Sequence, residues 1–290
     1  MGVRSRFLKT AGAVAVGATA AAVSAFAVTR VAGARPRLYC TKFGTARVFS
    51  TTSPDEGRRP IRVLSLGGGW QTVMYEDAPD EPAAAYARAF DLVLDPAVAP
   101  QPGRVLVIGG AGCAWPRHAV AVNPDVAVLV SEIDPAMVDI ALREFRLGRS
   151  ITEAGELPDG TPRLEVRAQE GMDLLRELTR DRATRGADAV PRFTAIVDDA
   201  FVGRTADDAL TSPDGLALVQ VNLTMYGVFV VNVSVPKEDP SALLACRRRL
   251  LTVFPYVAVV PAIDDALAEE ENYLLVASWI PKEVPGAVEV

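Results

Sequence analysis

The stretch 104–134, RVLVIGGAGCAWPRHAVAVNPDVAVLVSEID, decides the fold. Arg104 to Ile108 is a short apolar run without helical period, the pattern of a strand covered on both faces. Gly109, Gly110 and Gly112 follow at once and let the backbone turn sharply and approach a ligand without a Cβ in the way. Helical sequence begins near Ala114, so the turn sits at a helix N-terminus, where free N–H groups favour anionic or polar ligand atoms. A second apolar strand, from Val126 to Val130, leads to Glu132, some twenty positions beyond Gly112. A carboxylate at the tip of the second strand can accept hydrogen bonds from both hydroxyls of a ribose. Strand, glycine turn, helix, strand and acid in this order point to adenosine-type binding. A purely structural glycine turn in a buried parallel sheet is the bland alternative.

Reading downstream, Pro135 fits the first turn of a helix running to about Phe145, and 148–162 reads as loop. Leu164 to Ala168 is a third strand ending at Gln169-Glu170-Gly171, with a helix expected over 172–178 and a charged surface loop over 179–191. Phe193 to Val197 is a fourth strand ending in Asp198-Asp199. A helix around 215–223, a fifth strand at 226–233 (YGVFVVNV), a helix at 241–253 and two strands at 256–260 and 273–278 complete the body. The last two strands have no crossover helix between them and are expected to pair antiparallel. The reading is an α/β fold: a doubly wound, mostly parallel, Rossmann-like sheet with a C-terminal antiparallel hairpin.

Three successive strands therefore end in carboxylates: Glu132, Glu170, and Asp198 with Asp199. In an open α/β sheet the carboxyl ends of the strands form the ligand crevice. Glu132 can hold ribose, Glu170 can accept from an adenine amino group, and Asp199 can accept from the adenine side or from a cationic group. Each of these acids alone has a second reading as a helix N-cap or turn former.

Upstream, residues 38–75 read as a small β unit, in which strands 61–66 and 70–75 flank Gly67-Gly68-Gly69, a hairpin signal, with Gln71 just after the turn. An Ala-rich helical stretch over 81–94 and a Pro-rich linker follow. The organisation expected is 1–37 as an apolar segment and linker, 38–100 as hairpin unit plus helix, and 101–290 as the nucleoside-binding domain. Within the first part, Arg4, Arg6 and Lys9 precede an uncharged run over 10–29, which reads as a signal peptide or an N-terminal membrane anchor. A membrane-anchored protein with a cytoplasmic domain is one expectation. A cytoplasmic protein with a start placed too early, and an exported one, are the others.

Composition bounds the function. The 290 residues carry a net charge of −6 and half of them are apolar, enough for one large domain with a small appendage. No basic tract occurs in the body, which argues against nucleic acid as a partner. Three widely spaced cysteines and one histidine give neither a disulfide framework nor a metal-ligand spacing, so no metal is expected. His118, the single histidine, reads as a surface or rim residue.

The chain resembles the spermidine synthase family, in particular its bacterial spermidine-synthase-like members. The residues that carry the resemblance are VLVIGGAG (105–112), SEID (131–134), Glu170-Gly171, FTAIVDDAF (193–201), YGVFVVNV (226–233), NYLLVAS (272–278) and the hairpin RVLSLGGGWQ (62–71). The glycine and EID motifs are shared with class I methyltransferase-like folds; the full order, with the hairpin in front, is narrower. The resemblance implies a polyamine aminopropyltransferase that takes decarboxylated S-adenosylmethionine and moves its aminopropyl group to a diamine. It implies that Gly109, Gly110 and Gly112 face the nucleoside, that Glu132 binds ribose, Glu170 the adenine side and Gln71 the thioether side, and that the assembly is a homodimer or larger.

The chain also departs from the family pattern. The family has Asp-x-x-Asp after the fourth strand; here the first position is Asp199 and the second is Val202, which neither takes a proton nor binds a cation. Gly67 replaces the hairpin Asp, and the family's Tyr-His-Glu is at best Tyr86-Ala87-Arg88, where Arg88 would repel a polyamine. The candidate bases are Asp198, Asp199 and the pair Glu76 and Asp77. Two classes of function follow. One is a transferase of an adenosyl-sulfonium ligand, with an S-adenosylmethionine-dependent methyltransferase as its variant. The other is a non-catalytic nucleoside-binding homologue tethered to a membrane through 10–29.

Overall fold

The computed structural model of the chain describes residues 35–53, 57–202, 205–206, 208–262 and 270–289. Its first unit is an antiparallel sheet of β1 (Arg37–Thr41), β2 (Gly44–Thr52), β3 (Pro60–Leu66) and β4 (Gly69–Tyr75), hydrogen-bonded in that order. Gly67 and Gly68 turn β3 into β4 with φ of 61° and 90°, the left-handed geometry that a tight hairpin needs and that glycine adopts without strain.

The chain then forms α1 (Ala85–Ala89) and a 3-10 turn (Phe90–Leu94) before entering the main body. There follow β5 (Arg104–Ile108), α2 (Ala114–Val122), β6 (Ala127–Glu132), α3 (Pro135–Glu144), α4 (Leu147–Ala154), β7 (Leu164–Ala168), α5 (Gly171–Arg185) and β8 (Phe193–Asp198). A two-strand ribbon, β9 (Phe201–Val202) with β10 (Thr205–Ala206), leads to α6 (Pro213–Asn222), β11 (Leu223–Pro236), α7 (Ser241–Leu250), β12 (Tyr256–Ala262) and β13 (Glu270–Ser278).

The main sheet has seven strands in the order β12-β13-β11-β8-β5-β6-β7. The pairs β5 with β6, β6 with β7, β5 with β8 and β8 with β11 are parallel, while β13 runs antiparallel between β11 and β12. The expected doubly wound sheet with a C-terminal antiparallel hairpin is therefore present. Alternate strand residues feed two cores. Val107, Val130, Val197 and Val230 pack on one face with Phe90, Trp115 and Leu147. Ile108, Leu129, Ile196 and Val231 pack on the other with residues of α5, α6 and α7 such as Leu175, Val219 and Leu250. Burial on both faces is why these strands read as nearly unbroken apolar runs. The strand order reverses between β5 and β8, so the topological switch point, where such sheets bind ligands, lies at their carboxyl ends.

Several local expectations are corrected. The stretch 148–162 is not all loop, because α4 occupies its first part. Leu147, Ile151 and Ala154 recur at helical spacing and pack on the core, and the intervening polar residues hide that stripe in the sequence. Helix α5 does not stop at 178 but runs to Arg185. Its charged last turns carry an Asp181–Arg185 ion pair and tie back through Arg182 Nε, which donates to the Val190 carbonyl at 2.8 Å. Strand β1 was not expected, and the helix foreseen over 81–94 begins only at Ala85. The expectation of a membrane-anchored protein is also corrected: among the described residues no helix is long and apolar enough to cross a membrane. The run 10–29 on which that expectation rested lies outside the described residues.

Candidate functional site

The loop after β5 is shaped by its backbone. Gly109 has φ of +78°, and a Cβ there would lie 2.6 Å from the Asp199 carbonyl oxygen, so only glycine lets the ends of β5 and β8 close together. The same junction is tied by the Asp199 N–H donating to the Ile108 carbonyl at 2.9 Å and the Gly109 N–H to the Ser131 carbonyl at 2.8 Å. At Gly112 a Cβ would meet the Thr72 methyl at 2.5 Å. Its N–H instead donates to Thr72 Oγ1 at 2.9 Å, which seats the end of the N-terminal hairpin on the glycine loop.

Glu132, at the tip of β6, is buried and held from both sides. Its Oε2 accepts from the Ala111 N–H at 3.1 Å and its Oε1 from the Asp134 N–H at 3.0 Å. Burial raises its pKa, and the backbone donors oppose that rise. The carboxylate is thus fixed in orientation beside the glycine loop, with lone pairs left for a further donor.

Asp198 and Asp199 part company. Asp198, still in β8, follows the side of Ile196 and lies close enough to Cys246 of α7 to affect its thiol. Asp199 emerges on the other side, into a pocket lined by Thr72, Tyr86, Phe90, Val107, Gly110 and Trp115 among others. Phe90 meets Tyr86 and Trp115 edge-on, with centroids 6.0 and 5.9 Å away. In this apolar setting burial pushes the Asp199 carboxyl up to about 7; a hydrogen bond from Asn232 Nδ2 at 2.8 Å opposes the rise, and the nearby Glu132 charge adds to it. Asn232 Oδ1 in turn accepts from Asn272 Nδ2 at 2.9 Å.

The remaining expected residues sit as follows. Gly110 lines the pocket. Glu170 is the N-cap of α5: Oε1 accepts from the Met172 N–H and Oε2 from the Asp173 N–H, both at 2.9 Å. Gln71 is half-buried and stands at a β-bulge, since Leu64 pairs with Thr72 and Ser65 with Trp70, leaving Gln71 unopposed. The side chain that reaches the glycine loop is therefore its neighbour Thr72. Glu76 pairs with Arg62, and Asp77 pairs with Arg59 at 2.9 Å, so both are engaged in ion pairs of the N-terminal sheet. Arg88 is exposed and donates to the Pro82 and Ala83 carbonyls, while Tyr86 lines the pocket. The side chain of Val202 lies outside the described residues.

His118 is only half-buried, with Nδ1 at 2.8 Å from the Asp80 carbonyl and Nε2 at 3.2 Å from Asp91 Oδ2. Asp91 also accepts from Trp115 Nε1 at 2.9 Å, so this histidine helps fasten α2 to the 3-10 turn.

Thr72 and Asn232 escaped the reading of the sequence. Asn232 did leave a signal, as a polar residue inside the apolar run YGVFVVNV, where a buried amide demands a partner. Thr72 left none, because the bulge at Gln71 reverses the alternation on which strand faces are read.

No family model matches the chain, and no curated protein matches it in sequence. Solved structures do match it in fold. A probable spermidine synthase from Corynebacterium glutamicum superposes with a TM-score of 0.61 at 17% identity, covering 85% of this chain and 81% of that one. A spermidine synthase in complex with the transition-state analogue AdoDATO gives 0.60 at 21% identity, over 84% and 73%. The spermidine synthase from Thermotoga maritima gives 0.56 at 20% identity, over 84% and 73%. These three neighbours carry spermidine synthase names, and the likeness is one of fold.

Proposed function

We propose that this chain is a spermidine-synthase-like transferase that binds an adenosyl-sulfonium donor, decarboxylated S-adenosylmethionine, and passes its aminopropyl group to an amine. The observation that carries the reading is Asp199, a partly buried carboxyl at the switch point of the sheet, facing an aromatic pocket two strands away from the fixed carboxylate of Glu132. The fold shared with spermidine synthases and the adenosyl analogue bound to one of them support it.

In this reading the glycine loop lets the nucleoside approach the backbone, Glu132 accepts from the ribose hydroxyls, Glu170 lies on the adenine side and Gln71 on the thioether side. Tyr86, Phe90 and Trp115 exclude water from the cationic centre, and a ring face turned to it would attract the positive sulfur. The amine nitrogen attacks the carbon beside the positive sulfur in line with the departing C–S bond. The C–N bond forms, the C–S electron pair returns to sulfur as a neutral thioether, and the ammonium proton passes to Asp199. The protein's contribution is positioning and a base whose pKa lies near the working pH. Asp199 acts here without the second aspartate of the family pattern, so the acceptor is an amine that a single partly buried carboxylate can hold.

The test is calorimetric titration of the protein with decarboxylated S-adenosylmethionine, S-adenosylmethionine and methylthioadenosine. The expected result is preference for the first and third over the second, with Glu132→Gln weakening both by about 1.5–3 kcal/mol through loss of charge-assisted hydrogen bonds. Preference for S-adenosylmethionine would replace aminopropyl transfer by methyl transfer, and binding of none of the three would sink the transferase reading.

A further inference from the structure

Asp199 is the end of a line of buried polar side chains that crosses three strands on one face of the sheet. Asn232 of β11 donates to it through Nδ2 at 2.8 Å, and Asn272 of β13 donates to Asn232 Oδ1 at 2.9 Å. Asn232 and Asn272 are 1% and 5% exposed, so water is no ready substitute for either partner. Around them the face is apolar: Val197, Val228, Val230, Leu274 and Val276 belong to the same core. Two amides in such a setting cost free energy unless they are paired. Their directions matter more than their presence. A primary amide presents a donor on one side and an acceptor on the other. Asn272 donates through Nδ2, so Asn232 turns its oxygen towards β13 and its NH₂ towards Asp199, and the three groups agree in direction. With the opposite orientation an amide oxygen would face the carboxyl, an arrangement that only a protonated acid satisfies.

We propose that Asn272 and Asn232 form a one-way hydrogen-bond relay that presents a fixed donor to Asp199 and so keeps its carboxylate available as a proton acceptor. Both are positioning residues, and Asn272 acts from two strands away without lining the pocket. The inference rests on the assignment of Asp199 as the base of the proposed transfer, but the relay itself can be read without donor or acceptor. The other titratable groups that face Asp199 are Glu132 from β6 and Tyr86 from α1; α2 and β4 bring Ala114, Trp115 and Thr72, which do not titrate.

The experiment labels the aspartate carboxyl carbons of the protein with ¹³C and follows their shifts with pH, using Asp199→Asn to identify the Asp199 signal. In the unaltered protein the Asn232 side-chain amide signals, identified through Asn232→Leu, should move with the same midpoint as Asp199. Asn232→Leu should raise that midpoint by about one pH unit or more, the loss of one hydrogen bond to a charged group. Asn272→Ser and Asn272→Leu should raise it in the same direction, and the double variant should go no further than Asn232→Leu alone, because the far amide acts only through the near one. A midpoint unmoved in a folded Asn272 variant would overturn the relay, as would shifts that add in the double variant. If neither Asn272 variant folds, the unaltered protein still decides: Asn272 side-chain amide signals that follow the Asp199 midpoint support the relay, and Asn272 signals that ignore it overturn it. Failure of nucleoside binding with the relay intact would remove the transferase reading alone.

Discussion

At the scale of single residues Asp199 carries an electrostatic cost that reads out in pH. A carboxyl raised to about 7 by burial holds a proton in the folded chain over a pH window in which the unfolded chain has already released it. Stability from this group is therefore full below the unfolded value near 4, and is lost as pH rises towards 7. Asp199→Asn keeps an acceptor for Asn232 and removes the titration. Its stability relative to the natural chain should grow by about 2–3 kcal/mol between roughly pH 5 and pH 8, measured by urea unfolding at both. A constant difference would mean that Asp199 titrates like an exposed aspartate. The strand-end acids were legible as single letters, yet their roles diverge for reasons that no letter carries. Asp198 and Asp199 are adjacent in sequence and fall on opposite faces of the sheet because side chains alternate.

At the scale of elements, helix ends and short amphipathic stripes decide the outcome. Glu170, proposed to lie on the adenine side, also accepts with both carboxylate oxygens from the first free N–H groups of α5, and Asp173 adds a further acid in that first turn. Glu170→Ala should cost about 1 kcal/mol of stability and Glu170→Ser much less, because serine caps as well; chemical denaturation compares them. Equal losses would show that the cap contributes little. The strands of the main sheet were visible because burial on two faces demands unbroken apolar runs. Helix α4 was not, because its contact stripe is only three residues wide. The charged end of α5 looks like loop in the sequence because its turns are stabilised by ion pairs and by Arg182 reaching backbone carbonyls rather than by apolar burial.

At the scale of the whole molecule, the N-terminal sheet completes the site by docking on the main body. Glu144 of α3, buried at its carboxylate, receives Arg37 Nη1 and Tyr39 Oη at 2.5 Å each and Arg62 Nη1 at 3.2 Å. Asp134 caps α3 and also accepts the Lys42 N–H at 2.6 Å, while Thr72 closes on Gly112. Glu144→Ala removes a shared acceptor and leaves three donors without it. It should cost about 2 kcal/mol, less than a fully buried network because Arg37 is largely exposed. Hydrogen exchange should then quicken in β1–β3 and leave β5, β6 and β8 unchanged. Uniform quickening would mean that the two sheets unfold as one unit.

The sequence by itself determined the doubly wound sheet, the glycine loop between its first two strands, the acids at the strand ends and the C-terminal hairpin. These follow from local rules: apolar runs for strands buried on both faces, glycine where φ is positive, carboxylates where strands end at the crevice. Only the tertiary structure decided which of these acids faces the pocket. The β8–β11–β13 register sets Asn232 and Asn272 in line with Asp199, the bulge at Gln71 delivers Thr72 to the loop, and the two faces of β8 separate Asp198 from Asp199. The first two relations join residues far apart in the chain through strand order and register, and neither is written in the spacing of any one segment.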